Sequence, residues 1–138
     1  MKLLTFQARR FAWRTHSKTL EDAPEVDVDE EVRDAVVVFM HADAKDASPE
    51  ERKRVFRHTL KHVKWIANKR GLERVVLHSF THLGADTAPP DFAQGFIEEL
   101  SDRLRSTGYG VWSTPFGWFC SWDLEVFGDS LAKVWKET

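Results

Sequence analysis

Residues Ala35-Val36-Val37-Val38-Phe39-Met40 form an unbroken apolar run of strand length, rich in β-branched side chains. A strand with one wet face alternates apolar and polar residues, so an unbroken run requires cover on both faces. The following segment supplies that cover. Ser48-Pro49-Glu50-Glu51 combines a capping residue, a proline suited to the first helical position and two acids at the positive helix end. The spacing predicts a helix over 49–70, stopped by Gly71, with Phe56, Leu60, Val63 and Ala67 on one face.

The rest of the chain repeats these elements. Short strands are expected over 2–6 and 11–15, around a hairpin-like break at Gln7 to Arg10. Strands follow over 35–41 and 74–80. A second helix over 90–106 begins after Pro89-Pro90-Asp91 and buries Ala93, Phe96, Ile97, Leu100 and Leu104. Two more strands, 109–113 and 118–126, flank Thr114-Pro115-Phe116-Gly117, and Gly128-Asp129-Ser130 predicts a short terminal helix. Strands first, then strand–helix alternation, give an α/β (α+β) domain: a mixed sheet with packed helices. At 138 residues, a single domain over 1–138 is expected.

Composition narrows the functional classes. No apolar stretch approaches the roughly 20 residues of a membrane helix, and the single cysteine, Cys120, rules out an internal disulfide. A cytoplasmic protein without a membrane partner is expected. The net charge of −2 argues against a polyanion binder by charge alone. The charges are nonetheless segregated: Lys2, Arg9, Arg10, Arg14, His16 and Lys18 form a local basic patch able to meet phosphates, whereas Glu21 to Glu31 reads as an acidic solvated loop.

His58 and His62 lie one helical turn apart, the spacing of a metal pair, but both are expected to face solvent and have no evident third ligand. No metal and no cofactor is expected. His82 is a stronger candidate, because it follows a strand at its carboxyl end, where open α/β sheets place ligands. Thr114-Pro115-Phe116-Gly117-Trp118-Phe119-Cys120 sets aromatic residues around a fixed turn, suited either to packing or to stacking a base or ribose. Cys120 reads as a small pocket hydrophobe; as a nucleophile with His82 as base it would need a lowered pKa.

Phe80-Thr81-His82-Leu83 after a strand, Pro89 before a helix, and Thr114-Pro115-Phe116-Gly117-Trp118-Phe119 together resemble the archaeal editing domain of threonyl-tRNA synthetase. Lys2-Leu3-Leu4, Val36 to Phe39, Gly128 and Leu131-Ala132 extend the resemblance over nearly the whole chain. It implies the fold of D-aminoacyl-tRNA deacylases, a homodimer, and hydrolysis of serine mischarged onto threonine tRNA. It also implies chemistry by backbone groups, a water and the 2′-hydroxyl of the terminal adenosine.

Carried over by motif, the family histidine falls on His82. The selecting backbone falls on Ser79, Phe80, Thr81, Phe116 and Gly117, and the second strand aromatic on Phe119. The family's pocket lysine becomes Cys120, a nearby glutamate becomes Lys133, and its histidine–serine–aspartate loop becomes Gln7-Ala8-Arg9. His82 and Lys133 are thus the expected catalytic pair and Cys120 a substrate contact, in one cleft beyond strand 74–80. The expected partner is the 3′ end of an aminoacyl-tRNA, and the expected reaction is its deacylation. The alternative is a tRNA- or nucleotide-binding module that has lost the chemistry, or a small-molecule enzyme on the same fold.

Overall fold

Every second residue of the central apolar run points the same way, and the computed structural model, which describes residues 1–138, uses both sets. In strand β2 (Asp29–His41), Val36, Val38 and Met40 join a core under the helices, while Ala35, Val37 and Phe39 join a second core on the opposite face. The sheet order is β4 (Gly110–Ser113), β3 (Arg74–Ser79), β2, β1 (Lys2–Lys18), β5 (Trp118–Val126), with β6 (Lys133–Glu137) also paired to β1. β2, β3 and β4 run parallel; β1 is antiparallel to β2, β5 and β6. Helices α1 (Pro49–Asn68) and α2 (Pro90–Ser106) bring Val55, Val63, Ile66, Phe96, Leu100 and Leu104 to the first core. The expected mixed sheet with two packed helices is the architecture found.

Four local expectations are corrected. The break at Gln7 to Arg10 does not exist, because β1 is one strand of 17 residues. Gln7 is buried in it, donating from Nε2 to the Ile66 carbonyl (2.8 Å) and accepting from Arg70 Nε (3.0 Å). The irregularity there is a bulge against β5 between Ala8 and Arg10, past the residues where β1 pairs with β6. The polar stretch marks a change of partner, not a turn.

The acidic loop is shorter than expected, since Asp29 to Glu31 already belong to β2. Arg10 pairs with Glu31, Arg14 with Asp29 (3.1 Å), Lys18 with Glu25, and Lys2 with the buried Asp43 (2.5 Å). Arg10, Arg14 and Lys18 are therefore paired with the acidic run and Lys2 with Asp43, whereas Arg9 has no carboxylate partner and lies over the Phe127 ring.

The chain end forms only one 3-10 turn of the expected terminal helix, at Ser130–Ala132, and then continues as β6. Five residues with Val134 and Trp135 are too few for a stable helix, and the outer edge of β1 offers them a full ladder from Lys2 to Phe6.

His62 does not face solvent. The buried face of α1 keeps Phe56, Val63 and Ala67 of the expected stripe and widens to take in Val55, Thr59, His62 and Ile66. His62 Nε2 lies 3.2 Å from Thr5 Oγ1, which itself donates to the Val134 carbonyl (3.0 Å). Burial, with Lys136 nearby, lowers the ring pKa to about 4.

Candidate active site

The parallel strands end at one rim of the sheet, and the chain leaves β3 there through residues 80–89 before entering α2. This segment is held from below. Buried His41, at the end of β2, accepts from the Leu83 amide at Nδ1 (3.2 Å) and donates from Nε2 to the Asp86 carbonyl (2.6 Å). The Ala88 amide donates to the Ala42 carbonyl (2.9 Å) and the Ala44 amide to Asp86 Oδ1 (3.0 Å). One imidazole thus fixes both sides of the loop that presents His82.

The opposite wall is the turn between β4 and β5. Gly117 has φ +83°, a left-handed conformation, and a Cβ there would sit 2.9 Å from the Ala23 Cβ. Its carbonyl accepts from the Thr19 and Leu20 amides (2.7 and 3.2 Å), and Trp118 Nε1 donates to the Pro24 carbonyl (3.0 Å). The turn is tied to the segment after β1, which adds Thr19 and Leu20 to the rim.

Between these walls lies a cleft of about 470 Å³. Ser79, Phe80, Thr81, His82, Phe116, Gly117, Phe119 and Cys120 all line it, so residues from two distant segments meet as the sequence suggested. The His82 ring stands edge-on to Phe80 (centroids 5.0 Å). Burial pushes the Cys120 thiol pKa up, which keeps it protonated and a poor nucleophile.

Lys133 is not in the cleft. It opens β6 opposite Phe6 and is exposed, with Nζ 3.4 Å from the Gly128 carbonyl. Phe6 packs on Phe39, and Phe39 on His78, so Lys133 and His78 share a sheet face but stand three strand spacings apart, about 14 Å. Cys120 pairs with Thr15 and Lys133 with Phe6, nine residues along β1, about 30 Å of strand. Within one chain these two positions do not face each other. Gln7 and Ala8, which align with the family's histidine–serine–aspartate loop, are buried in the sheet.

Three further residues complete the cleft and its support. His78 is buried at the cleft floor with Nδ1 2.8 Å from Thr114 Oγ1, and burial holds its pKa near 4. Trp122 lines the cleft and packs on Phe39 (5.3 Å). His41 reads in sequence as the end of a strand, and nothing local marks it as a clamp.

No Asp, Glu, Lys or Arg lines the cleft, and no group of three metal-ligating side chains occurs in the chain. Its polar equipment is hydroxyls (Thr19, Ser79, Thr81, Thr87, Thr114), two imidazoles and backbone, over an aromatic floor. The sequence of residues 1–138 matches the model of the archaea-specific editing domain of threonyl-tRNA synthetase. The chain belongs to that family. This editing-domain chain is 29% identical to threonine–tRNA ligases of Thermofilum pendens and Methanopyrus kandleri, each over 97% of its own length. It spans about a fifth of those relatives, 22% and 21%. The fold of the editing domain is also that of the c-Myc DNA unwinding element binding protein, with a TM-score of 0.66 at 15% identity, covering 100% of this chain and 99% of that one. None of its helices is long and apolar enough to cross a membrane.

Proposed function

We propose that the cleft receives the 3′ end of a mischarged aminoacyl-tRNA, such as seryl-tRNA(Thr), and hydrolyses its ester in a cytoplasmic setting. The observation that carries this reading is the meeting of the His82 loop and the Phe116–Phe119 turn over one cleft, in a chain of the editing family. Aromatic side chains suit a terminal adenosine. Water adds to the aminoacyl carbonyl carbon, the bond to the ribose 3′ oxygen breaks, and that oxygen takes a proton. The products are the amino acid and a tRNA with both hydroxyls free. Without a carboxylate or lysine in the cleft, the proposed work falls to backbone dipoles, His82 and the substrate's own 2′-hydroxyl. Lys133 has no part in this scheme, and Cys120 only shapes the wall.

Deacylation of a panel of mischarged tRNAs tests the proposal. Hydrolysis of at least one is expected, and Cys120→Ala should retain the rate within about tenfold, or about 1.4 kcal/mol of barrier. Binding of tRNA without hydrolysis of any panel member would favour the non-catalytic module, for which Cys120 and Lys133, in place of the family's lysine and glutamate, are the specific argument.

The sheet face opposite the helices carries two partly exposed tryptophans, Trp122 and Trp135, at 42% and 50%. A second copy of the chain is proposed to cover it, giving a homodimer. Sedimentation equilibrium should give twice the 16.0 kDa chain mass at micromolar concentration; a monomer would exclude the assembly.

A further inference from the structure

Residues 52–70 contain eight of the chain's 20 Lys and Arg and none of its 22 Asp and Glu. A chain of net charge −2 thus concentrates a charge of +8 in one stretch, nearly all of it helix α1. Three of these cations are engaged: Arg52 with Glu99, Arg54 with Glu51 (2.6 Å) and Arg70 with Asp129. Lys53, Arg57, Lys61, Lys64 and Lys69 have no carboxylate partner within 4 Å. Lys53, Arg57 and Lys61 recur every four residues and are exposed, so they form one stripe along the outer side of the helix. Each step rises about 6 Å, and the stretch from Lys53 to Lys64 spans about 16 Å. Trp65, 44% exposed, continues the stripe, with Lys69 Nζ 5.8 Å from its ring centre.

Ordinary surface helices intersperse opposite charges, which stabilise the helix at i,i+4 spacing. This helix forgoes that over four turns and accepts like-charge repulsion between neighbouring rows. We infer that the outer face of α1 is a binding surface for the sugar–phosphate backbone of tRNA, outside the 3′ end that the cleft receives, an inference that rests on the deacylase reading. α1 starts at the cleft's end of the sheet, since the segment between β2 and α1 is bonded to the His82 loop through Ala42 and Ala44. An anionic membrane surface fits less well. A helix lying on lipid turns its apolar face outward, whereas that of α1 is buried against the sheet and its outer face carries one large apolar residue, Trp65.

The test compares the protein with its K53Q/R57Q/K61Q/K64Q variant in three assays. Unacylated tRNA(Thr) should bind the variant about 30-fold more weakly at 0.1 M salt. The slope of log affinity against log salt should fall by about 3, close to one per phosphate contact removed. Hydrolysis of seryl-adenosine, which ends at the cleft, should stay within twofold. If the quadruple variant melts early, the pairs K53Q/R57Q and K61Q/K64Q are measured separately, each expected to remove about half of the slope change. Unchanged tRNA affinity and slope overturn the inference, as does loss of phosphatidylserine-vesicle binding with tRNA binding intact. If neither protein cleaves seryl-adenosine while tRNA binding still depends on α1, the surface stands and the cleft's chemistry is what fails.

Discussion

Acidification from pH 7 to pH 4 is expected to remove about 5 kcal/mol of folding stability, most of it through His78 and His62. Each ring titrates near 6.5 when the chain is unfolded and at about 4 in the fold. The unfolded chain therefore binds the protons first, and stability falls as pH drops through that window, flattening below it. The full contribution is present above pH 6.5. For His78, buried at the cleft floor, the loss is about 3 kcal/mol. His62 sits beside β6 and Lys136, where solvent screens part of the effect, so it contributes less. Asp43 acts in a separate window: burial opposes its charge, but hydrogen bonds from Lys2 and the chain's amino terminus outweigh burial and lower its pKa. Its contribution is lost only below the usual carboxylate range. Since a domain of this kind holds roughly 5–15 kcal/mol in all, much of the population should unfold near pH 4. Urea unfolding at pH 7, 5.5 and 4 measures the loss, and the H62Q/H78Q variant should flatten it. An equally steep loss in that variant would show that other groups carry it.

Replacing His82 with alanine is expected to slow single-turnover deacylation about 10²-fold or more, typical of a lost positioning or proton-transfer group. His82 is the imidazole at the cleft rim and stands on a loop whose backbone is fixed by His41. The buried His78, by contrast, is committed to Thr114. The order of effects matters more than their size. On the proposed scheme His82→Ala is severe and Cys120→Ala mild. If Cys120 were the nucleophile, Cys120→Ala would abolish turnover and thiol alkylation would inactivate the protein. A folded but inactive Cys120→Ala protein would end the scheme proposed here.

The sequence made the central layers legible because their signals are local. The run from Ala35 to Met40 fits a strand covered on both faces, and Ser48-Pro49-Glu50-Glu51 carries the cap, proline and acids of a helix start. The cleft was legible for a different reason: its two walls carry short motifs. What stayed hidden depends on partners distant in sequence. Gln7 looks like a turn residue until Ile66 and Arg70 arrive to satisfy its amide. Lys133 looks like a site residue until the vacant edge of β1 draws it into β6. His41 acquires its role only from the backbone of residues 83 and 86. The charge of α1 was visible in the residues but was masked by a near-neutral total.

β1 also dictates an order of assembly. β2 can close its inner edge early, because the two are separated by the ten residues 19–28. Its outer edge is closed by β5 and β6, whose residues are synthesised about a hundred positions later. Until Trp118 to Glu137 leave the ribosome, the nascent domain presents a 17-residue strand with one row of unpaired amides and carbonyls. Such long-range closure slows folding and prolongs exposure of a surface that neighbouring nascent chains can pair with. Chains truncated before Trp118 should accordingly be the aggregating species during expression, and a chaperone that shields the outer edge of β1 should have its largest effect on this stage of synthesis.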